Sequence, residues 1–186
     1  RLQDQRRLGW VAAYMCHYFW RIGDQVGAIA SGHRALEIAD AVGDFSLQMT
    51  NVNLGLAYYG VGDYPRAIEC LRKTIASLSA ERARERFGWA GMPFVTSRAY
   101  LAGCLTERGE FAEALAYAEE GVRFAEAAEH PFSLGQALIG LGVLHLRKGD
   151  LGQAIPVLEK GLELSRAGDV RAVLAGLESS LGFAYA

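Results

Sequence analysis

The chain has 186 residues, 51% of them apolar, and 19 basic against 21 acidic side chains leave a formal net charge of −2. That length suits one compact domain or a short array of repeats, and the balanced charge gives no electrostatic reason to expect nucleic acid or an anionic membrane as a partner. Three cysteines (Cys16, Cys70, Cys104) show no C-x-x-C spacing, which argues against a disulfide framework or a zinc site and for a reducing, cytoplasmic setting.

Hydrophobic periodicity predicts nine helices, roughly 4–22, 25–42, 45–61, 64–80, 93–108, 111–128, 132–148, 151–167 and 170–186, and no strand. The most apolar stretch, Leu8 to Trp20, is broken by His17 and falls well short of the roughly 20 residues a bilayer span needs. Gly23, Gly62, Gly109 and Gly149 each close a helix, at intervals of 39, 47 and 40 residues. Glycine takes the left-handed conformation that such a stop requires. Asp24, Asp63, Glu110 and Asp150 follow directly; the three aspartates are placed to cap the next helix, and an acidic side chain suits its positive dipole end in every case. Pro65, Pro93 and Pro131 fall near helix starts, while Pro156 lies about a turn inside its helix, where a slight bend is expected. Five residues beyond each stop stands an alanine (Ala28, Ala67, Ala114, Ala154), and Leu54-Gly55, Leu101-Ala102, Leu141-Gly142 and Leu181-Gly182 precede successive turns. Self-similarity at this period is the signature of a helical repeat array.

This LG..Y…GD…A pattern resembles the tetratricopeptide repeat, and the period near forty resembles its long-helix subclass. The resemblance covers essentially the whole chain and implies an all-α fold, a right-handed superhelical solenoid of antiparallel helix pairs. One array over 1–186 is expected, with units at about 4–42, 45–80, 93–128 and 132–167 and a truncated fifth at 170–186. Cys16 and Phe19 replace the Gly and Tyr of the first unit, and His145 the tyrosine of the fourth. Long arrays of this type occur in bacterial signalling ATPases, cyclases and transcriptional activators, and ERFGWAGMPFVTSRAYLA is similar to arrays behind cyclase-and-ATPase modules. Sixteen Arg against three Lys hint at a GC-rich bacterial genome. A start at Arg1 and an end inside a helical pattern lead us to expect a piece of a longer protein.

By the same resemblance, the first helix of each unit lines a concave groove. Its candidate binding residues are Trp10, His17, Trp20, Arg21, Met49, Asn53, Leu56, Tyr59, Thr96, Thr106 and Gln136. Trp10, Trp20 and Tyr59 would grip an apolar ligand, with hydrogen bonds from Asn53, His17 and Arg21; aromatic and Arg anchors are the usual hot spots of such surfaces. The competing reading is that Trp10 and Trp20 simply pack against neighbouring helices, or against repeats missing from this fragment. A carboxylate clamp built on Asn53 is rejected, because Ala13, Thr96 and Tyr100 stand where basic residues or asparagine would be wanted.

The longest interval holds about seven extra residues within Glu81 to Met92. Either the aromatics there tuck back onto the array, or the segment is a protruding contact loop offering Arg86, Phe87, Trp89 and Met92. Four scattered histidines and no phosphate-cradling loop give catalysis, metals and cofactors nothing to stand on. The expected function is a non-catalytic interaction module that binds a peptide or partner domain in its groove. The alternative is a small-molecule sensor controlling an effector domain. A last helix without its pair leaves an apolar face of roughly 400 Å² open to homodimerisation, about 10 kcal/mol gross against an association cost on the order of 4–15 kcal/mol.

Overall fold

The computed structural model describes residues 4–186, and the chain divides into two compact units, Arg1–Gly88 and Trp89–Ala186. The first holds α1 (Gln5–Ile22), α2 (Gln25–Val42), α3 (Phe45–Gln48), α4 (Thr50–Gly60) and α5 (Tyr64–Ser77). The second holds α6 (Pro93–Glu107), α7 (Phe111–Ala127), α8 (Pro131–Arg147), α9 (Leu151–Ala167) and α10 (Arg171–Tyr185). No strand occurs among the described residues. Within each unit, consecutive helices pack as pairs, α1 on α2, α4 on α5, α6 on α7 and α8 on α9.

The turn chemistry follows the sequence closely. Gly23, Gly43, Gly62, Gly109 and Gly149 all have positive φ. The side chains of Asp24, Asp44, Asp63 and Asp150 accept from the backbone N–H three residues on, whereas Glu110 makes no such bond. Asp24 Oδ1 lies 2.9 Å from the Gly27 nitrogen. Asp24→Ala should therefore lower stability by about 1 kcal/mol, read as a shift in the urea midpoint with unchanged slope. At Gly168-Asp169 the left-handed residue is Asp169 (φ 48), not the glycine.

Two helix boundaries differ from expectation. The helix expected over 45–61 is interrupted at Met49, so the nine expected helices appear as ten elements. Thr50 Oγ1 donates to the Leu47 carbonyl at 2.7 Å and Asn51 Nδ2 to the Gln48 carbonyl at 3.0 Å. Side chains thus take carbonyls that a continuous helix would have paired with backbone N–H groups. The α5 helix ends at Ser77 because Leu78 turns extended (ψ 110).

The close approach of paired helices rests on complementary small and large residues sixteen positions apart. A methyl group on Gly55 would stand 2.9 Å from Leu71 Cγ, and one on Gly142 would collide with Leu158. In the first pair the roles reverse, with Cys16 on α1 and Gly32 on α2, where a methyl group would stand 3.1 Å from Cys16 Sγ. The third pair departs from this, with two small residues, Ala102 and Ala118, buried at the same spacing. Cys16, which looks like a degenerate position in one helix, is thus compensated by a glycine in the next.

Candidate functional site

The α1 and α4 helices of the first unit carry His17, Trp20, Arg21 and Asn53, which the sequence nominated as one group. His17 Nδ1 donates to Asn53 Oδ1 at 3.2 Å. The His17 and Trp20 rings lie 5.6 Å apart, and the Arg21 guanidinium sits 5.8 Å over the Trp20 ring. His17 and Trp20 are half-buried, and Arg21 is exposed. Asn53 is only 5% exposed, yet its Nδ2 has no hydrogen-bond partner. A buried amide donor without an acceptor costs roughly 1–3 kcal/mol, so its persistence calls for an explanation.

Burial pushes the His17 pKa down, the hydrogen bond to Asn53 pulls it up, and nearby Arg21 adds to the depression; the net shift is downward. His145, which stands 3.9 Å from Asp150, is also shifted downward, chiefly by burial. A histidine with a depressed folded-state pKa contributes stability that is present above the unfolded value of about 6.5 and is lost as pH falls. The melting temperature should therefore drop on going from pH 7 to pH 5, with a shallower slope in His17→Gln. A slope unchanged by that substitution would remove His17 from the account.

The remaining candidates are placed as follows. Met49 is 1% exposed and lines a cleft of about 300 Å³ with Leu36, Asp40 and Lys73, on the α2 and α5 side. It therefore cannot join Asn53 on one surface; the helix break at this residue separates them. Leu56 is 3% exposed and serves the core, while Tyr59 is half-buried with its ring 5.8 Å from Tyr64. In the second unit, Thr96 Oγ1 donates to Gln136 Oε1 at 2.9 Å, joining two nominated residues across α6 and α8. Thr106 is buried and donates to the Ala102 carbonyl of its own helix.

The segment after α5 folds back onto its own unit. Arg82 lies 3.9 Å over the Phe45 ring and 4.9 Å over that of Phe87, and these two rings are 5.6 Å apart. Phe87 and Met92 are buried, and the Met92 N–H donates to Ser133 Oγ. Neither is therefore available as a contact surface; among the four nominated loop residues Arg86 is exposed and Trp89 half-buried. Of the two readings of this loop, the tucked one describes Phe87.

The three cysteines are buried, which raises Cys16 and Cys104 to about 12 and Cys70 to about 11, so they act as small apolar side chains at neutral pH. Among the described residues no group of His, Cys, Asp or Glu is placed to hold a metal, and no helix is long and apolar enough to cross a membrane. The sequence reading missed an exposed apolar stripe on α1 (Val11, Tyr14, Met15, Tyr18), although its spacing of i, i+3, i+4 and i+7 was legible as one helix face.

Two family models described as tetratricopeptide repeat match residues 95–167 and 52–78, together just over half of the chain. Regulatory protein RapG of Bacillus subtilis (strain 168) is 25% identical over 113 residues, which is 61% of this chain and 29% of RapG. A Rap protein solved in complex with Competence and Sporulation Factor superposes with a TM-score of 0.80 at 15% identity, over 96% of this chain and 48% of that one. A putative kinesin light chain of Podosopora anserina with TPR-like repeats gives 0.67 at 18% identity, over 100% of this chain and 88% of that one. The chain thus spans less than a third of RapG and about half of the Rap protein. The two structural likenesses bear on the fold, an all-α array of antiparallel helix pairs.

Proposed function

We propose, from the premise that the chain belongs to the tetratricopeptide-repeat family, that it is a non-catalytic interaction module binding an extended peptide or a segment of a partner protein. The site is the α1–α4 surface of His17, Trp20, Arg21 and Asn53. The observation that carries this reading is the half-buried Trp20 with the exposed Arg21 guanidinium 5.8 Å over its ring, on a helix face tied to α4 by the His17–Asn53 hydrogen bond. Trp20 offers apolar area to an extended segment, and Arg21 a charge-assisted hydrogen bond.

RapG is named a regulatory protein and the Rap structure holds a bound factor; we carry both over as support for a bacterial, cytoplasmic regulatory role. The small-molecule alternative needs a closed apolar recess. The cleft beside Met49 is lined by Leu36 and Met49 together with Asp40, Gln48, Asn51, Lys73 and Ser77, a mixed and not an apolar lining.

A random peptide array probed with the chain, followed by calorimetry on the selected peptides, tests the proposal. Trp20→Ala should weaken binding about thirtyfold, ~2 kcal/mol, while the far-ultraviolet circular dichroism stays unchanged. Peptides that bind both forms equally would remove Trp20 from the site.

Homodimerisation through α10 is the secondary partner reading. The helix buries Val173, Leu177 and Leu181 in its own unit, but Phe183 and Tyr185 are exposed at 66% and 64%. Sedimentation showing a monomer at high concentration would dismiss it.

A further inference from the structure

Between Arg7 and Arg21 the α1 helix carries no Asp, Glu, Lys or Arg, and its sequence there is LGWVAAYMCHYFW. Such a run has two apolar faces. Gly9, Ala13 and Cys16 are buried in the first unit. Roughly opposite them on the helix, Val11, Met15, Tyr18 and Ile22 follow one another at intervals of four, three and four residues. That spacing keeps side chains in one line, and it forms the seam between two helices when both carry it. The four are 55%, 42%, 58% and 59% exposed, and Tyr14 beside them 51%.

The size and chemistry of this line select its occupant. Five side chains, each about half exposed, present on the order of 500 Å² of apolar surface. A contiguous patch of that size is often an interaction site. It also matches the apolar share, about 65%, of the roughly 800 Å² per partner that a stable homodimer buries. The uncharged run gives an acidic or basic partner nothing to grip.

The line is its own complement as well. Two α1 helices crossing antiparallel about a two-fold axis at Met15 set Val11 against Tyr18 of the partner subunit, and the half-buried Leu8 against Ile22. Met15 then lies beside its own counterpart and near Tyr14, where a flexible thioether suits an aromatic edge. At the ends of the contact, Arg7 is already paired with Asp4 at 3.2 Å, which limits its repulsion of Arg21 of the partner subunit. The α10 helix offers less, since its exposed large apolar residues are Phe183 and Tyr185, and the Tyr185 hydroxyl donates to Glu159 at 2.7 Å.

We propose that the α1 line is the contact between two copies of this chain, an antiparallel pair of α1 helices related by a two-fold axis. Sedimentation equilibrium over a range of concentrations, on the chain itself and on Tyr18→Glu and Phe183→Glu, tests it. The chain should pass from monomer to dimer as concentration rises. Tyr18→Glu should weaken that association about a hundredfold, because the substitution enters one interface twice, while Phe183→Glu should leave it unchanged. A second measurement leaves the apolar line largely in place. Met15→Cys should form a disulfide-linked dimer under mild oxidation, whereas Val26→Cys, at a position 80% exposed but far from the axis, should not. The native cysteines are buried and stay out of the reaction. A monomer at every concentration would overturn the proposal. So would a dimer lost in Phe183→Glu but kept in Tyr18→Glu, which would move the contact to α10, or cross-linking of both cysteine variants to the same extent.

Discussion

Replacing Gly142 by valine is expected to lower stability by about 3 kcal/mol, because the new Cβ alone would enter space already filled by Leu158 in the α8–α9 contact. Leu158→Ala alone should cost a similar amount, by opening a cavity where the leucine side chain is fully buried. The double variant Gly142→Val with Leu158→Ala should be far less damaged than the sum, since the new side chain refills the void. A coupling of about 2 kcal/mol in a denaturant-unfolding cycle is the expected result. Strict additivity would show that the two residues do not share one space. The Cys16–Gly32 pair makes the same argument with the partners exchanged between helices.

Removing the carboxylate at Glu120 should be more damaging than removing its cation. Arg98 is 6% exposed; its Nη2 donates to Glu120 Oε1 at 3.1 Å, and its guanidinium stacks 3.5 Å over the Phe94 ring. The side chain of Glu120 is 44% exposed, so water can solvate it when it is left alone. Arg98 would keep only its Nη1 bond to the Phe94 carbonyl, at 3.2 Å. Glu120→Ala leaves a buried charge uncompensated and should cost about 2–3 kcal/mol. Arg98→Met keeps the apolar stem over Phe94 and should stay within about 1 kcal/mol of the parent. Chemical denaturation of the two variants decides it; the reverse order would mean that the ion pair, and not the burial of one partner, sets the energetics.

The architecture was legible because its determinants are local. A left-handed glycine followed by a capping aspartate stops one helix and starts the next whatever the surroundings, and both signals recur at a fixed period. The break at Met49 was not legible, since it depends on Thr50 and Asn51 turning their side chains back onto carbonyls of Leu47 and Gln48. Nor was the exchange of small and large residues between Cys16 and Gly32, which shows only when two helices are placed together.

The candidate site divides in the same way. His17, Trp20, Arg21 and Asn53 were nominated by residue type and helix face, and the structure adds the hydrogen bond between His17 and Asn53. Met49, Phe87 and Met92 have the same outward signature, an apolar side chain in a suggestive segment. Their burial depends on packing partners such as Leu36 or Phe45 that no spacing rule names.

The most direct test of the interaction-module reading is a nuclear magnetic resonance titration of the labelled chain with an array-selected peptide. Binding should move the Asn53 side-chain amide and the Trp20 indole resonances together, and Trp20→Ala should weaken the response about thirtyfold. Perturbations confined to the α2–α5 cleft beside Met49, with Asn53 unmoved, would contradict it.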